Sequence, residues 1–189
     1  MTGLLKGKVA VVTGGSKGIG YSIAERFTKE GAKVVVSSRN KEELEAAANM
    51  LSCDHFAVDV SDSKSVLSLK EWLIDTHGSL DILVNCAGAV RYDGIMEATE
   101  EDWDFQISVN LTGTFLMCNK LAPIMNDGGA ILNISSTLGL RAMEGAVAYC
   151  AVITIALAML ISYEVAHLYG IGIAALGMLS TIGIQLDIF

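Results

Sequence analysis

The chain has 189 residues, 52% of them hydrophobic, which fits one domain with a sizeable buried core. It carries 13 Lys and Arg against 21 Asp and Glu, a formal charge of −8. That balance argues against nucleic acid and anionic membrane surfaces as partners, since both are bound by clustered cations. Cys53, Cys86, Cys118 and Cys150 stand far apart with no C-x-x-C pair, and only three histidines accompany them. A zinc site is therefore not expected, and free thiols in a reducing cytoplasm are. The opening Leu4-Leu5-Lys6-Gly7-Lys8 reads as the lead into a strand, not as a signal peptide.

The first strand is expected over Lys8 to Val12, followed by a glycine-rich turn and a helix from about Ile19 to Glu30, closed by Gly31. Strand, glycine turn and helix in that order form the setting a dinucleotide needs. The glycines let backbone approach a pyrophosphate, and the helix start offers unpaired N–H groups and a positive dipole end. Written out, the turn is Thr13-Gly14-Gly15-Ser16-Lys17-Gly18-Ile19-Gly20, a Gly-x-x-x-Gly-x-Gly spacing. It resembles the signature of the short-chain dehydrogenase/reductase family. The resemblance implies that Gly14, Ser16, Lys17, Gly18, Ile19 and Gly20 hold the cofactor.

A second strand, Lys33 to Ser37, ends at Ser38-Arg39-Asn40 with no Asp or Glu to bind a ribose 2′-hydroxyl. Lys17 and Arg39 can instead converge on a 2′-phosphate, with Ser38 as a hydroxyl donor. Charge-assisted bonds of that kind contribute about 1.5–3 kcal/mol each, enough to select NADP(H) over NAD. Helix two is expected over Lys41 to Met50 and strand three over His55 to Val58. The resemblance puts Asp59, followed by Val60, beside the adenine ring; Asp59 also suits the cap region of the next helix, which Ser61-Asp62 could equally supply. Helix three runs from about Asp62 to His77 and stops at Gly78.

Strand four, Leu80 to Val84, leads into Asn85-Cys86-Ala87-Gly88, similar to the family's Asn-Asn-Ala-Gly element with Cys86 in second place. Asn85 can tie neighbouring strand ends together, while the small Ala87 and Gly88 leave room for the cofactor. Cys86 packs as a small hydrophobe. A long helix begins after Thr99, its N-cap, with Asp102 at the third helical position. Inside it, Val109-Asn110-Leu111-Thr112-Gly113 resembles the family's Asn-x-x-Gly, where the Asn supports a proton relay. Pro123 is expected to kink or end this helix near Met125.

Strand five is expected over Ala130 to Ser136, and Tyr149 follows Ser136 by thirteen positions. That is the spacing of the family's catalytic pair, a phenol that exchanges a proton with the substrate oxygen and a serine that polarises it. The resemblance covers residues 5 to 150 almost continuously. It implies an α/β Rossmann-type fold, a doubly wound parallel sheet in three αβα layers lacking the family's last strand and lid helices. The substrate it implies is a small-molecule carbonyl or alcohol. The family pairs a helix like the apolar one over Tyr149 to Leu168 with its twin from a second subunit, so the resemblance implies a homodimer or homotetramer. An apolar helix that is simply core gives the same pattern.

The pattern then breaks. The family follows its Tyr with Lys four residues on, and here that place is Ile153. The family's Lys holds the nicotinamide ribose and lowers the Tyr pKa; Ile does neither. No Lys or Arg occurs after Arg141, and the stretches 145–163 and 168–186 are uncharged. Each is long enough to raise the question of a membrane span, but both lack flanking cations. A buried interface helix followed by a buried parallel strand explains them better. The family's Arg, Asn and Pro-Gly after Tyr169-Gly170-Ile171 are missing too. Three explanations stay open: a non-catalytic dinucleotide-binding or regulatory relative, a shortened form that buries its surface in an oligomer, and an encoded sequence that differs beyond residue 150.

Overall fold

Val9–Thr13 forms β1 with every residue buried, the mark of a strand covered on both faces of a parallel sheet. The computed structural model describes residues 3–161 and 172–176. After β1 come α1 (Gly18–Lys29), β2 (Lys33–Ser38), α2 (Lys41–Leu51), β3 (Asp54–Ala57), α3 (Ser63–His77) and β4 (Leu80–Asn85). Then follow α4 (Glu100–Ile107), a π turn (Ser108–Thr112), α5 (Gly113–Leu121), β5 (Met125–Ile134), α6 (Val147–Ile161) and β6 (Gly172–Leu176). The six strands lie in the order β3-β2-β1-β4-β5-β6, and every pairing is parallel.

Alternation along β1 sorts the core into two layers. Val9 and Val11 pack with Val66, Leu69 and Leu73 of α3 and with Met117 and Leu121 of α5. Ala10 and Val12 face the other way, onto Ala24 of α1 and Leu44 and Ala48 of α2. Helices therefore cover both faces, giving the doubly wound αβα arrangement that the sequence predicts.

The expected boundaries fall within one or two residues for β1 to β4 and α1 to α3. The end of the long helix does not: α5 stops at Leu121, and Pro123 sits in a short 3-10 turn, Ala122–Ile124. Proline lacks an N–H and its ring clashes with the carbonyl four residues back, so the helix yields before reaching it. Strand β5 starts at Met125 and not at Ala130; the register jumps from Leu80–Met125 to Ile82–Ala130, so Asn126 to Gly129 bulge away from β4. The parallel strand expected in the apolar end is β6, paired with β5 from Ala130–Gly172 to Ile134–Leu176. The rest of the 168–186 run, and the Tyr149 helix beyond Ile161, lie outside the described residues. Among the described residues no helix is long and apolar enough to cross a membrane.

A carboxylate closes the end of the sheet opposite the strand C-termini. Asp81 of β4 accepts from Val9 N–H (2.9 Å), Lys8 Nζ (2.9 Å) and Asn126 Nδ2 (3.0 Å), gathering the starts of β1, β4 and β5. Burial works to raise its pKa, but these three donors outweigh it and hold the carboxyl below the usual range. A carboxyl lowered in the fold contributes stability that is present above the unfolded value near ~4 and lost as pH falls through the folded value. Asp81→Ala is expected to cost about 1–3 kcal/mol in urea unfolding at pH 7, by leaving the buried Val9 N–H unpaired. The deficit should narrow on acidification below about pH 4, and an unchanged midpoint at pH 7 would refute the role.

Candidate functional site

The strand order reverses between β1 and β4, and ligands of open α/β sheets bind where it does, beyond the strand C-termini. Here that edge opens into a cleft of about 970 Å³. Its floor is the turn after β1. Gly14 has φ +66°, and a Cβ there would fall 2.9 Å from the Cys86 carbonyl oxygen, so glycine is needed for conformation and for contact. A Cβ on Gly20 would run into the Gly14 carbonyl, so glycine lets α1 start directly against its own turn.

The start of α1 differs from those of its neighbours. Asn40, Asp62 and Thr99 cap α2, α3 and α4 through their side chains, whereas Lys17 at the N-cap of α1 makes no such bond. No acid lies in the first turn of α1. Its N–H groups and positive dipole end are left to an outside anion.

At the end of β2, Ser38, Arg39 and Asn40 line the cleft, and so does Lys17 from the turn after β1. Neither cation stands alone. The Lys17 Nζ lies 3.2 Å from a Glu43 carboxylate oxygen, and the Arg39 guanidinium sits 5.7 Å from the centre of the Phe105 ring. Arg91 approaches that ring too, at 4.9 Å.

Thr13 ends β1 with its hydroxyl accepting from both Cys86 N–H and Ala87 N–H at 3.0 Å, which joins the two turns at the switch point. Asn85 is in register with Asn133 and donates to its side-chain oxygen at 2.7 Å, tying β4 to β5 as expected from sequence. Burial pushes the Cys86 thiol up, in keeping with a packing role.

Asn110 lies in the π turn and is buried. Its Oδ1 accepts from Ala89 N–H (2.9 Å), and its Nδ2 donates to Ala89 O (2.8 Å) and Gln106 O (3.0 Å). Gln106 Oε1 accepts from Arg91 N–H at 3.1 Å. Two buried amides thus treat the turn after β4 as a neighbouring strand would, which accounts for polar residues inside an apolar helix.

Ser136, just past β5, and Tyr149 of α6 both line the far end of the cleft. Ser136 Oγ accepts from Leu138 N–H at 3.2 Å, which orients the hydroxyl. Half-burial raises the Tyr149 pKa, with smaller pushes from Tyr92 and Cys150, and the Ser136 hydroxyl acts the other way. Ile153, one turn on, is buried in the same wall against Gly139. The side chain one helical turn beyond the phenol is thus a hydrocarbon, which carries no charge to lower its pKa.

Most residues singled out from sequence meet in this one cleft: Gly14, Ser16, Lys17, Ile19, Gly20, Ser38, Arg39, Val60, Ala87, Gly88, Asn110, Ser136 and Tyr149. Gly18, Asp59 and Asn85 are not among the residues that line it. Gly18 (φ +58°) shapes the turn, and Asp59 spends its carboxylate on the N–H and hydroxyl of Ser61. The cap of α3 is Asp62, which accepts from Lys64 N–H at 3.0 Å. Sequence reasoning overlooked Thr13, Glu43, Phe105 and Gln106. Glu43 had a signal, since an Asn with Glu three residues on is a capping pattern; the others stand in ordinary core or helical contexts.

The family model described as short chain dehydrogenase matches residues 8–173. D-threitol dehydrogenase of Mycolicibacterium smegmatis is 41% identical over 154 residues, 78% of this chain and 59% of the relative. The 3-oxoacyl-(acyl-carrier-protein) reductase FabG of Chlamydia trachomatis serovar D is 38% identical over 159 residues, 80% of this chain and 64% of the relative. The chain therefore spans less than two thirds of the length of these two curated relatives. The crystal structure of a short chain dehydrogenase from Mycobacterium smegmatis superposes with a TM-score of 0.88 at 31% identity, covering 93% of this chain and 78% of that one.

Proposed function

We propose NADP(H)-dependent interconversion of an alcohol and a ketone or aldehyde for this chain, which belongs to the short-chain dehydrogenase family. That family of oxidoreductases works with nicotinamide dinucleotides. The observation that carries the reading is a single cleft with an uncapped helix start at one end and the Ser136–Tyr149 pair at the other. The residues present fit a dinucleotide: glycine backbone and free N–H groups for the pyrophosphate, and small Ala87 and Gly88 along the path. Val58 and Val60 add an apolar wall.

Lys17 and Arg39 would take the 2′-phosphate with Ser38 beside them. When bound, the nicotinamide supplies or accepts the hydride. Tyr149 then exchanges the accompanying proton with the substrate oxygen, and the Ser136 hydroxyl donates a hydrogen bond to that oxygen as its charge develops. Asn110 positions the turn after β4 through Ala89. The names of two relatives, a dehydrogenase of threitol and a reductase of a 3-oxoacyl group, support an alcohol–carbonyl pair without choosing the substrate. Pairing of α6 with its counterpart in a second copy, as a homodimer or homotetramer, would cover the half-exposed Ile155.

A second reading rests on Ile153. With a hydrocarbon in place of a cation, the chain would bind dinucleotide and turn it over poorly or not at all. Titrating NADPH and NADH by fluorescence, and following NADPH oxidation against a panel of carbonyl compounds, separates the two. Saturable NADPH binding with turnover supports the enzyme, and tight binding without turnover selects the second reading. Tighter NADH binding removes the cofactor assignment.

A further inference from the structure

We propose that Glu43 determines how strongly the cleft discriminates between NADPH and NADH, by holding Lys17 out of the 2′-phosphate site. The inference rests on the cofactor reading above and adds an acidic residue to it.

Glu43 stands three residues after the N-cap of α2, and its own N–H donates to Asn40 Oδ1 at 3.0 Å. In a capping box the side chain at this position would return to the backbone N–H of the cap residue. Among the described residues Glu43 makes no such bond. Its carboxylate reaches across to Lys17 Nζ at 3.2 Å, and both side chains line the cleft. The turn after β1 and the start of α2 are thereby bridged by an ion pair at the cofactor's phosphate end.

The two cations are held differently. Arg39 rests on the face of Phe105, a partner that leaves its in-plane N–H groups free to meet an oxyanion. Lys17 is paired with a carboxylate, which an entering phosphate must displace or repel. A phosphomonoester carries about 1.5 to 2 negative charges at neutral pH. Lys17 and Arg39 alone would balance it, and Glu43 leaves one charge uncompensated. NADH lacks that phosphate and is indifferent to the pair.

Glu43→Gln keeps the side chain's length and removes its charge, on a residue exposed enough to tolerate the change. Fluorescence titration of the full chain is expected to show NADPH binding about three- to fivefold tighter in the variant, the scale of an exposed ion pair. NADH binding should change by less than about twofold, and the NADPH gain should shrink when ionic strength is raised. In a Lys17→Ala background Glu43→Gln should bring a clearly smaller gain for NADPH, only the relief of direct repulsion, which separates release of Lys17 from any general change in α2. Unchanged or weaker NADPH binding overturns the inference, as does selective loss of NADH affinity, which would make Glu43 a ribose ligand. If the parent chain binds neither dinucleotide, or prefers NADH, the cofactor reading itself fails and takes this inference with it. A parent that prefers NADPH with a silent Glu43→Gln sinks this inference alone.

Discussion

Replacing Ile153 by lysine is expected to raise the rate of alcohol oxidation at pH 7 by about 10- to 1000-fold. The first two side-chain carbons of lysine can keep the contact that Ile153 makes with Gly139, and the rest has the cleft to extend into. A cation within about 4–6 Å of a phenol lowers its pKa by about 1–3 units. Tyr149 now has the opposite environment, since burial raises its pKa above the ordinary value near ~10. The sign follows directly. At neutral pH the phenol keeps its proton, so it can donate in reduction but lacks the ionised form needed to accept one in oxidation. Each unit of lowering multiplies the phenolate fraction tenfold while pH stays below the pKa. The pH profile of kcat/KM for oxidation should therefore level off 1–3 units lower in the variant. An unchanged profile would show that Ile153 does not limit Tyr149.

Tyr149→Phe, made in the Ile153→Lys background, is expected to lower kcat by about 10²- to 10⁴-fold, the usual worth of a positioned acid or base. The phenyl ring preserves the half-buried packing of the wall, so thermal unfolding should move little and NADPH affinity should stay within about twofold. That split between kcat and binding distinguishes a group that moves a proton from one that only fills space. A variant that keeps its rate would transfer the proton role elsewhere and leave Ser136 as an orienting hydroxyl alone.

The fold was legible because its signals are local and periodic. The apolar run into Thr13, the glycine turn and the cap at Thr99 each state their structure within a few residues, and the structure confirms them. The end of α5 was less so, because proline announces a break without saying how many residues before it the helix yields. The glycine loop and the Ser136–Tyr149 pair could be read from spacing. The partners of the two cations could not, since Glu43 and Phe105 reach Lys17 and Arg39 from α2 and α4 across the cleft mouth. For the same reason Asn110 was found through the Asn-x-x-Gly resemblance, while its partners at Ala89 depended on how the chain packs.

The turn after β4 is fastened twice, by Thr13 beneath Cys86 and Ala87 and by Asn110 and Gln106 beside Ala89 and Arg91. If the cleft holds a dinucleotide as proposed, this twice-fastened turn joins the floor beneath the nucleotide to the helix that carries Asn110. Substitutions that loosen this turn would then be expected to weaken dinucleotide binding and turnover together.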